Sequence, residues 1–444
     1  MSNLEPTTFT SSILSKMGSW LPRGWVWRRS PLGPLQTLLT VIQMTAFGNT
    51  GYRAALRVVF EDMHKAFGWS KGVPTPSALT QARGKLSEKM CLDLFKRIAR
   101  ESTHVSSHTR LRYRDFSRVV AVDGTKLTLQ STAALKRDFG CPAGDHLAPQ
   151  ALLSLLWDVG GNVPIDWRLG PFNGSEHADL DDMLGALQSG DLLLADRFYP
   201  SRASFAGLQE RGIHFIMRIK TKGRNLMRET QTFLSSGSDD LTIPMHDHPG
   251  QQLRFIRHSN PDGDDMIVIT SLSADTHCAQ AILELYQRRW SIETAYRSAK
   301  EWHGLDALPG KSTAMVRQEV CAFMLFWLMQ GELEGQARRV YADEIRKQPE
   351  VDPEWTPAAG ISELPVQFNR RLAATALSLL MVSAVTSLDK AVESWRVSMR
   401  YLWQNRMRRK PGRSFRRTSQ RPHEFKKRDD ISKAEGLKRQ TKKR

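Results

Sequence analysis

The segment "YQRRWSIETAYRSAK", residues 286–300, places a phenol, a carboxylate and several cations at helical spacing. The surrounding residues 279–303 contain no proline or glycine and are rich in helix formers, so they predict one continuous helix. At about 100° per residue, five polar side chains fall on one face of that helix. They are Tyr286, Arg289, Glu293, Arg297 and Lys300. A carboxylate among cations could bind a metal ion and hold an anionic substrate beside it, although a solvated face is the ordinary alternative.

Two aspartates elsewhere in the chain stand in matching contexts. Asp123 ends the apolar run "VVAV", and Asp196 ends the apolar run "LLLA". A carboxylate at the end of a hydrophobic strand is costly to bury unless it is paired or bound to a metal ion. Each aspartate alone is explained as well by a turn. Together with Glu293, the two aspartates predict a site of oxygen ligands that suits Mg²⁺.

The contexts of these acids resemble those of DDE transposases of the insertion-sequence-4 family. In that family the first aspartate precedes Gly and then Thr or Ser, as Asp123 does here, and the second precedes Arg, as Asp196 precedes Arg197. The glutamate lies in the signature Y-(2)-R-(3)-E-(6)-K, which residues 286–300 match at every spacing. The resemblance covers residues from about 75 to about 417 and implies an RNase H-like catalytic core.

The resemblance implies that Asp123, Asp196 and Glu293 are both the catalytic residues and the metal ligands, holding two Mg²⁺ ions for which Mn²⁺ can substitute. We hypothesise that Asp123 bridges the two ions while Asp196 and Glu293 each complete one. One ion would activate the attacking water or 3′-hydroxyl, and the other would stabilise the leaving 3′-oxygen. The candidate DNA-binding residues are Tyr286, Arg289, Arg297, Lys300 and Arg197.

The function implied is cut-and-paste transposition, in which the enzyme cleaves the element's DNA ends and transfers them into target DNA. The partners would be the terminal inverted repeats and the target, and a dimer on DNA is expected. Two alternatives stay open: an RNase H-fold nuclease that cleaves without joining, and a retired transposase kept as a DNA-binding protein. Some relatives pass through a DNA hairpin and hold a flipped base with a tryptophan, but residues 198–288 contain no tryptophan. Phe233 or Phe255 is the candidate substitute.

The composition favours a polyanionic partner. The 444 residues carry a formal net charge of +18, and residues 406–444 contain 17 Lys and Arg against four Asp and Glu. The four cysteines are scattered without a CxxC pair, which argues against zinc sites and a disulfide framework. The N-terminal residues show no secretory pattern, and the most apolar stretch, residues 320–329, is too short to cross a bilayer. We therefore expect a bacterial cytoplasmic, nucleoid-associated protein that does not use a membrane.

The elements that must position the acids follow an α/β order. Apolar, β-branched segments predict five strands, at residues 118–130, 151–159, 163–172, 191–199 and 214–220. Together with the helical patterns they predict an RNase H-like mixed sheet flanked by helices, interrupted by a β-rich insertion, with helical N- and C-terminal regions. The predicted regions are 1–108, helical and DNA-binding; 109–222, the first part of the catalytic core; 223–274, the β-rich insertion; 275–330, the second part of the core with the signature helix; 331–405, helical; and 406–444, a basic tail that either lies on nucleic acid or lacks fixed structure.

The N-terminal region contains one candidate DNA-reading helix. Thr75 or Ser77 could cap it. Its polar side chains would be Gln81, Arg83 and Lys85. The sequence leaves open whether this helix reads DNA or packs in a helical bundle.

Two other patterns are interpreted as chance resemblances. The segment "GLDALPGKS", residues 304–312, has five residues between its glycines where a phosphate-binding P-loop has four, and it follows a helix instead of a strand. His246 and His248 have the spacing of metal ligands, but no third ligand is apparent, so a solvated turn is favoured.

Overall fold

The computed structural model describes most of the chain. The described residues are 32–46, 51–67, 72–104, 111–113, 115–142, 148–222, 226–248, 250–259, 265–347, 361–363, 366–386 and 388–408. The predicted basic tail from residue 409 onward lies outside them, as does the first part of the predicted N-terminal region.

An eight-stranded mixed sheet forms the centre of the described chain. The strands of the described chain, of which β2 to β9 form this sheet, are β1 (Leu111–Tyr113), β2 (Arg118–Thr128), β3 (Gln150–Asp158), β4 (Val163–Pro171), β5 (Asp191–Ala195), β6 (His214–Arg218), β7 (Asp240–Pro244), β8 (Gln252–His258), β9 (Met266–Thr270), β10 (Ile361–Glu363), β11 (Val366–Gln367) and β12 (Met407–Arg408). The order in the central sheet is β4-β3-β2-β5-β6-β9-β8-β7. β2 pairs antiparallel with β3 and parallel with β5, and β5 pairs parallel with β6.

The five strands predicted for the catalytic core are confirmed as β2 to β6. Most of their residues are buried on both faces, as expected for strands that are covered by helices on each side. The fourth strand is shorter than predicted, because β5 ends at Ala195 and not at residue 199. The chain turns there: the side chain of Asp196 accepts a hydrogen bond from the backbone N–H of Phe198, 2.8 Å away.

The strands predicted in the β-rich insertion also form, and they extend the same sheet. β7, β8 and β9 continue it beyond β6, and β9 pairs antiparallel with β6, with Met217 opposite Ile269. A mixed sheet of this order, flanked by helices, is consistent with an RNase H-like α/β fold.

Helices pack on both faces of the sheet. They are α1 (Pro34–Ala46), α2 (Tyr52–Phe67), α3 (Pro76–Arg83), α4 (Glu88–His104), α5 (Ala133–Phe139), α6 (Glu176–Met183), α7 (Arg202–Glu210), α8 (Arg228–Ser236), α9 (Ala279–Gln287), α10 (Trp290–His303), α11 (Thr313–Val340), α12 (Ala342–Arg346), α13 (Arg370–Thr386) and α14 (Leu388–Gln404). Residues 320–329 of α11 are all buried, which confirms the predicted core helix. Trp327 of this segment packs edge-on against Trp157 of β3, with ring centroids 5.0 Å apart. Within the described ranges, no helix has the length and apolarity that crossing a bilayer requires.

The predicted continuous helix over residues 279–303 is wrong at its centre. α9 ends at Gln287, and α10 begins at Trp290. The backbone N–H of Arg288 donates to Leu285 O, and that of Arg289 donates to Tyr286 O, so bonds over three residues replace the helical pattern there. Glu293 consequently lies in the first turn of α10, where the helix dipole favours a carboxylate.

Arg83 is a structural residue, and the possibility that it reads DNA is wrong. Thr75 caps α3 as predicted, by accepting from the backbone N–H of Ala78. The Arg83 guanidinium is fully buried and donates to Glu319 at 2.9 Å and to Gln318 at 3.2 Å. This ion pair joins α3 to α11, so the helical-bundle alternative holds for this side chain. Gln81 and Lys85 are exposed.

Candidate active site

Asp123 and Asp196 both follow the segment over which β2 and β5 pair in parallel. β2 and β5 pair in parallel register up to Ala121 and Leu194. Asp123 lies two residues beyond Ala121, within β2, and Asp196 lies two residues beyond Leu194, just past the end of β5. The negative charge of Asp196 acts on the Asp123 carboxyl, so the two side chains are close to each other. The carboxyl edge of adjacent parallel strands is where α/β sheets collect functional groups.

Asp123 is held in a largely buried position. Its Oδ1 accepts from the backbone N–H of Gly124 at 3.0 Å, and its backbone carbonyl accepts from the phenol of Tyr296 at 2.9 Å. The Asp123 side chain is 19 % exposed. Burial raises the pKa of Asp123 to about 7; the positive charge of Arg289 opposes this rise, and the negative charge of Asp196 adds to it. The carboxyl therefore lies in surroundings that would favour a cation.

Arg289 supplies a cation in this structure. Its Nη2 donates to Glu293 Oε1 at 2.5 Å, and its Nη1 lies 3.9 Å from Asp123 Oδ2. The guanidinium also lies 5.1 Å from the ring centroid of Trp290 and 5.9 Å from that of Tyr286. The Arg289 side chain is only 8 % exposed. One guanidinium thus links the first predicted acid to the third.

Of the five polar residues predicted on one helix face, Tyr286 and Arg289 are buried in the described structure. Burial raises the pKa of the Tyr286 phenol, and the Arg289 charge opposes this rise. Lys300 donates to the backbone carbonyl of Lys126 at 2.7 Å and lies 3.3 Å from Asp306, so it ties α10 to β2. Arg297 is exposed. The row was expected to face either solvent or a cleft; Tyr286 and Arg289 face the protein interior, whereas Arg297 faces solvent.

Sequence reasoning missed Glu176, a fourth carboxylate beside the pair of aspartates. It is the first residue of α6, and its Oε2 accepts from the phenol of Tyr199 at 2.9 Å. A Cβ at Gly124 would lie 2.5 Å from the Glu176 carboxyl carbon, so the end of the Glu176 side chain packs directly over this glycine. Burial raises the pKa of Glu176; the hydrogen bond from Tyr199 opposes this rise, and the charge of Asp196 adds to it. No sequence signal connects Glu176 with Asp123, because α6 meets β2 only through the fold.

The side chains of the three predicted acids are suitable ligands for a hard divalent cation, but in this structure they are not arranged around a common ion position. They offer carboxylate oxygens, the ligands that Mg²⁺ and Mn²⁺ prefer. In the part of the chain that the structure describes, no three His, Cys, Asp or Glu side chains are grouped closely enough to hold a metal ion. Glu293 is engaged by Arg289, so this guanidinium must leave Glu293 before that carboxylate can join the two aspartates around an ion.

The phenylalanines predicted to replace the missing tryptophan cannot reach DNA in this structure. Phe233 and Phe255 are both fully buried and stack on each other, with centroids 5.2 Å apart. Their ring faces are therefore used in the core. Phe198 is instead exposed, directly after Arg197 and two residues beyond Asp196.

The structure gives neither rejected motif a ligand-binding arrangement. In the P-loop-like segment, the backbone N–H of Gly310 donates to Glu319 Oε2 at 2.9 Å, so a protein carboxylate takes the place that a phosphate would need. His246 Nδ1 lies 2.6 Å from Asp247 Oδ1 in an exposed turn. Both results agree with the interpretation of these patterns as chance resemblances.

We expect the Asp123→Asn variant to be more stable than the wild type at pH 8 in the metal-free protein. The pKa of Asp123 is raised to about 7 in the folded chain. An acid with a raised pKa destabilises the fold as it ionises, so the penalty is absent below about pH 4 and complete above the folded pKa. The gain should reach the order of 2–4 kcal/mol at high pH and vanish at low pH.

Thermal unfolding in EDTA across this pH range measures the effect, with Asp181→Asn as an exposed control on α6. A stability difference between Asp123→Asn and the wild type that does not change with pH would show that Asp123 ionises normally.

A known protein family matches the part of the chain that contains this site. Residues 114–329 match the family described as "Transposase DDE domain", and all three predicted acids lie inside that segment. No curated protein matches the chain. Among solved structures, the chain is similar to the cryo-EM structure of a piggyBac transposase synaptic complex with hairpin DNA, at a TM-score of 0.44 and 8 % identity, covering 91 % of this chain and 82 % of that one.

Proposed function

We propose that this chain is a DDE transposase that cleaves the DNA ends of its own element and joins them to target DNA. The match of residues 114–329 to the transposase DDE domain supports a DNA-cleaving and strand-transferring enzyme. The signature over residues 286–300 supports the narrower assignment to the insertion-sequence-4 family.

The observation that carries the proposal is the largely buried Asp123 carboxyl, on which the negative charge of the nearby Asp196 acts. Two neighbouring carboxylates, one of them largely buried, cost folding free energy unless a cation offsets their charge. The Arg289 guanidinium donates to Glu293 and also lies 3.9 Å from Asp123, so it connects Glu293 to the Asp123 carboxyl. A structural role alone would not require three carboxylates here.

Asp123, Asp196 and Glu293 are the residues that would hold two Mg²⁺ or Mn²⁺ ions. When bound, such ions supply activation of the attacking oxygen and stabilisation of the leaving one. Release of Glu293 by Arg289 frees the third carboxylate and leaves a guanidinium beside the site, where it can hold a DNA phosphate in bidentate fashion.

The remaining candidate contacts position the DNA backbone. Arg297 and Arg197 are exposed and can contact phosphates without losing internal partners that the fold depends on. Lys300 is 25 % exposed and already anchors α10, so its contact with DNA would come in addition to a structural role. Tyr286 lies beneath Arg289 and would support its orientation.

The proposed partners are the terminal inverted repeats and the target DNA, bound by a dimer of the chain at the bacterial nucleoid. The basic residues of the segment 406–444 would add sequence-independent affinity for the phosphate backbone. This term should make DNA binding strongly salt-dependent.

The full chain should be incubated with supercoiled plasmid, Mg²⁺ and either pre-cut or uncut element ends, in separate reactions. Covalently joined products are expected. Cleavage of uncut ends without joining would favour the RNase H-fold nuclease, and binding without either reaction would favour a retired transposase.

A further inference from the structure

Phe198 is an exposed aromatic side chain beside the candidate active site. Its side chain is 58 % exposed, whereas the next residue, Tyr199, is fully buried. Exposing a phenylalanine forgoes roughly 1.5–3 kcal/mol of burial free energy. Burial in the core therefore does not explain a large aromatic side chain at this place.

Two cations lie next to the ring. Lys220 Nζ is 4.8 Å from the ring centroid, and Arg197 Cζ is 5.6 Å from it. Both residues are exposed, and they come from different strand ends, after β6 and after β5. An aromatic face flanked by cations is the arrangement that stacks a nucleobase and pairs its neighbouring phosphates.

The backbone that carries the ring is also fixed relative to the acids. The backbone N–H of Phe198 donates to Asp196 Oδ1 at 2.8 Å. The adjacent Tyr199 is anchored by its hydrogen bond to Glu176. The attachment point of the Phe198 side chain is therefore held beside Asp196, within reach of the candidate site.

We propose that Phe198, with Arg197 and Lys220, forms a stacking platform for one nucleobase of the DNA strand whose phosphate lies at Asp123 and Asp196. This inference rests on the proposed function, since it assigns a place to DNA at that same site. The ring supplies a face that any base can stack on. As the base stacks on the ring, either cation can move from the ring to a phosphate of the DNA backbone, which then offsets the positive charge of that side chain.

A nucleic acid fits this surface better than an apolar protein partner. The two side chains bordering the ring are both positively charged, and an apolar partner would have to desolvate them without compensation. A nucleotide brings an aromatic plane and an anion together, which matches both features.

Fluorescence of 2-aminopurine tests the platform in the full chain. The probe is a single-stranded oligonucleotide of about 12 nucleotides with 2-aminopurine near its centre, bound in EDTA so that no cleavage occurs. Stacking on Phe198 should quench the probe. Phe198→Leu should weaken binding about tenfold and remove most of the quenching, whereas Phe198→Tyr and Phe198→Trp should retain both.

Trp302→Leu is the matched control, because Trp302 is also a large exposed aromatic, 48 % exposed, on α10. It should bind and quench as the wild type does. Equal quenching by Phe198→Leu and the wild type, or no quenching by the wild type, would overturn the platform. Joined products from the wild type in the plasmid assay would leave the proposed function standing in either case, so the two failures are distinguishable.

Discussion

Replacing Asp196 with asparagine should lower the rate of DNA-end cleavage by about a thousandfold or more while leaving DNA binding nearly unchanged. Asparagine keeps the size of the side chain and can still accept from the Phe198 N–H, so the turn after β5 is preserved. It removes the negative charge that acts on the neighbouring Asp123. Losing a ligand charge at a metal-assisted phosphoryl-transfer site is worth several kcal/mol in the transition state, which corresponds to this factor in rate.

Two assays separate chemistry from binding for this variant. Single-turnover cleavage of end-labelled DNA gives the rate, and fluorescence anisotropy of the same DNA in EDTA gives the affinity. Asp181→Asn, an exposed aspartate of α6, is the control and should cleave as the wild type does. Asp196 would be removed from the catalytic set by Mg²⁺-dependent cleavage within about tenfold of the wild-type rate.

The strands that precede the two aspartates were predictable because they depend on local pattern. The apolar runs before Asp123 and Asp196 form β2 and β5, which pair in parallel, although β2 continues beyond Asp123 to Thr128. The core helix over residues 320–329 follows from the same kind of pattern. Each of these predictions needs only the side-chain period of a strand or a helix.

The role of Arg289 was not predictable from spacing. Helical spacing predicts the directions of side chains only where the helix is continuous, and this helix is interrupted between α9 and α10. Whether Arg289 faces solvent or an acid depends on Asp123, which comes from a strand far away in the chain. The same limit explains Arg83, whose partner Glu319 is 236 residues away.

Glu176 shows the limit most clearly. In the sequence it is an acid in the first turn of a capped helix, a place where carboxylates are common for helix stability alone. Only the tertiary contact with Gly124 and the hydrogen bond from Tyr199 bring it to the site.

Replacing Arg289 with glutamine should tighten the binding of divalent ions and slow DNA cleavage at the same time. In the metal-free chain the guanidinium serves as the counter-charge for Glu293 and Asp123, so it competes with any ion for them. Without it, Mn²⁺ affinity should rise about tenfold, since a unit charge at such distances is worth more than 1 kcal/mol at intermediate dielectric. Cleavage should fall about a hundredfold, because a bidentate phosphate contact is lost.

The stability of this variant gives a second readout that does not depend on activity. Removing the guanidinium leaves the largely buried Asp123 carboxyl without the charge that holds its pKa down, so the metal-free variant should melt below the wild type at pH 8. Mn²⁺ should restore more stability to the variant than to the wild type, because it replaces the missing positive charge. Arg297→Gln, an exposed position on the same helix, should show neither effect. If calorimetric titration gave Arg289→Gln the same Mn²⁺ affinity as the wild type, Arg289 would not be competing for the metal ligands, and its proposed exchange between acid and phosphate would fail.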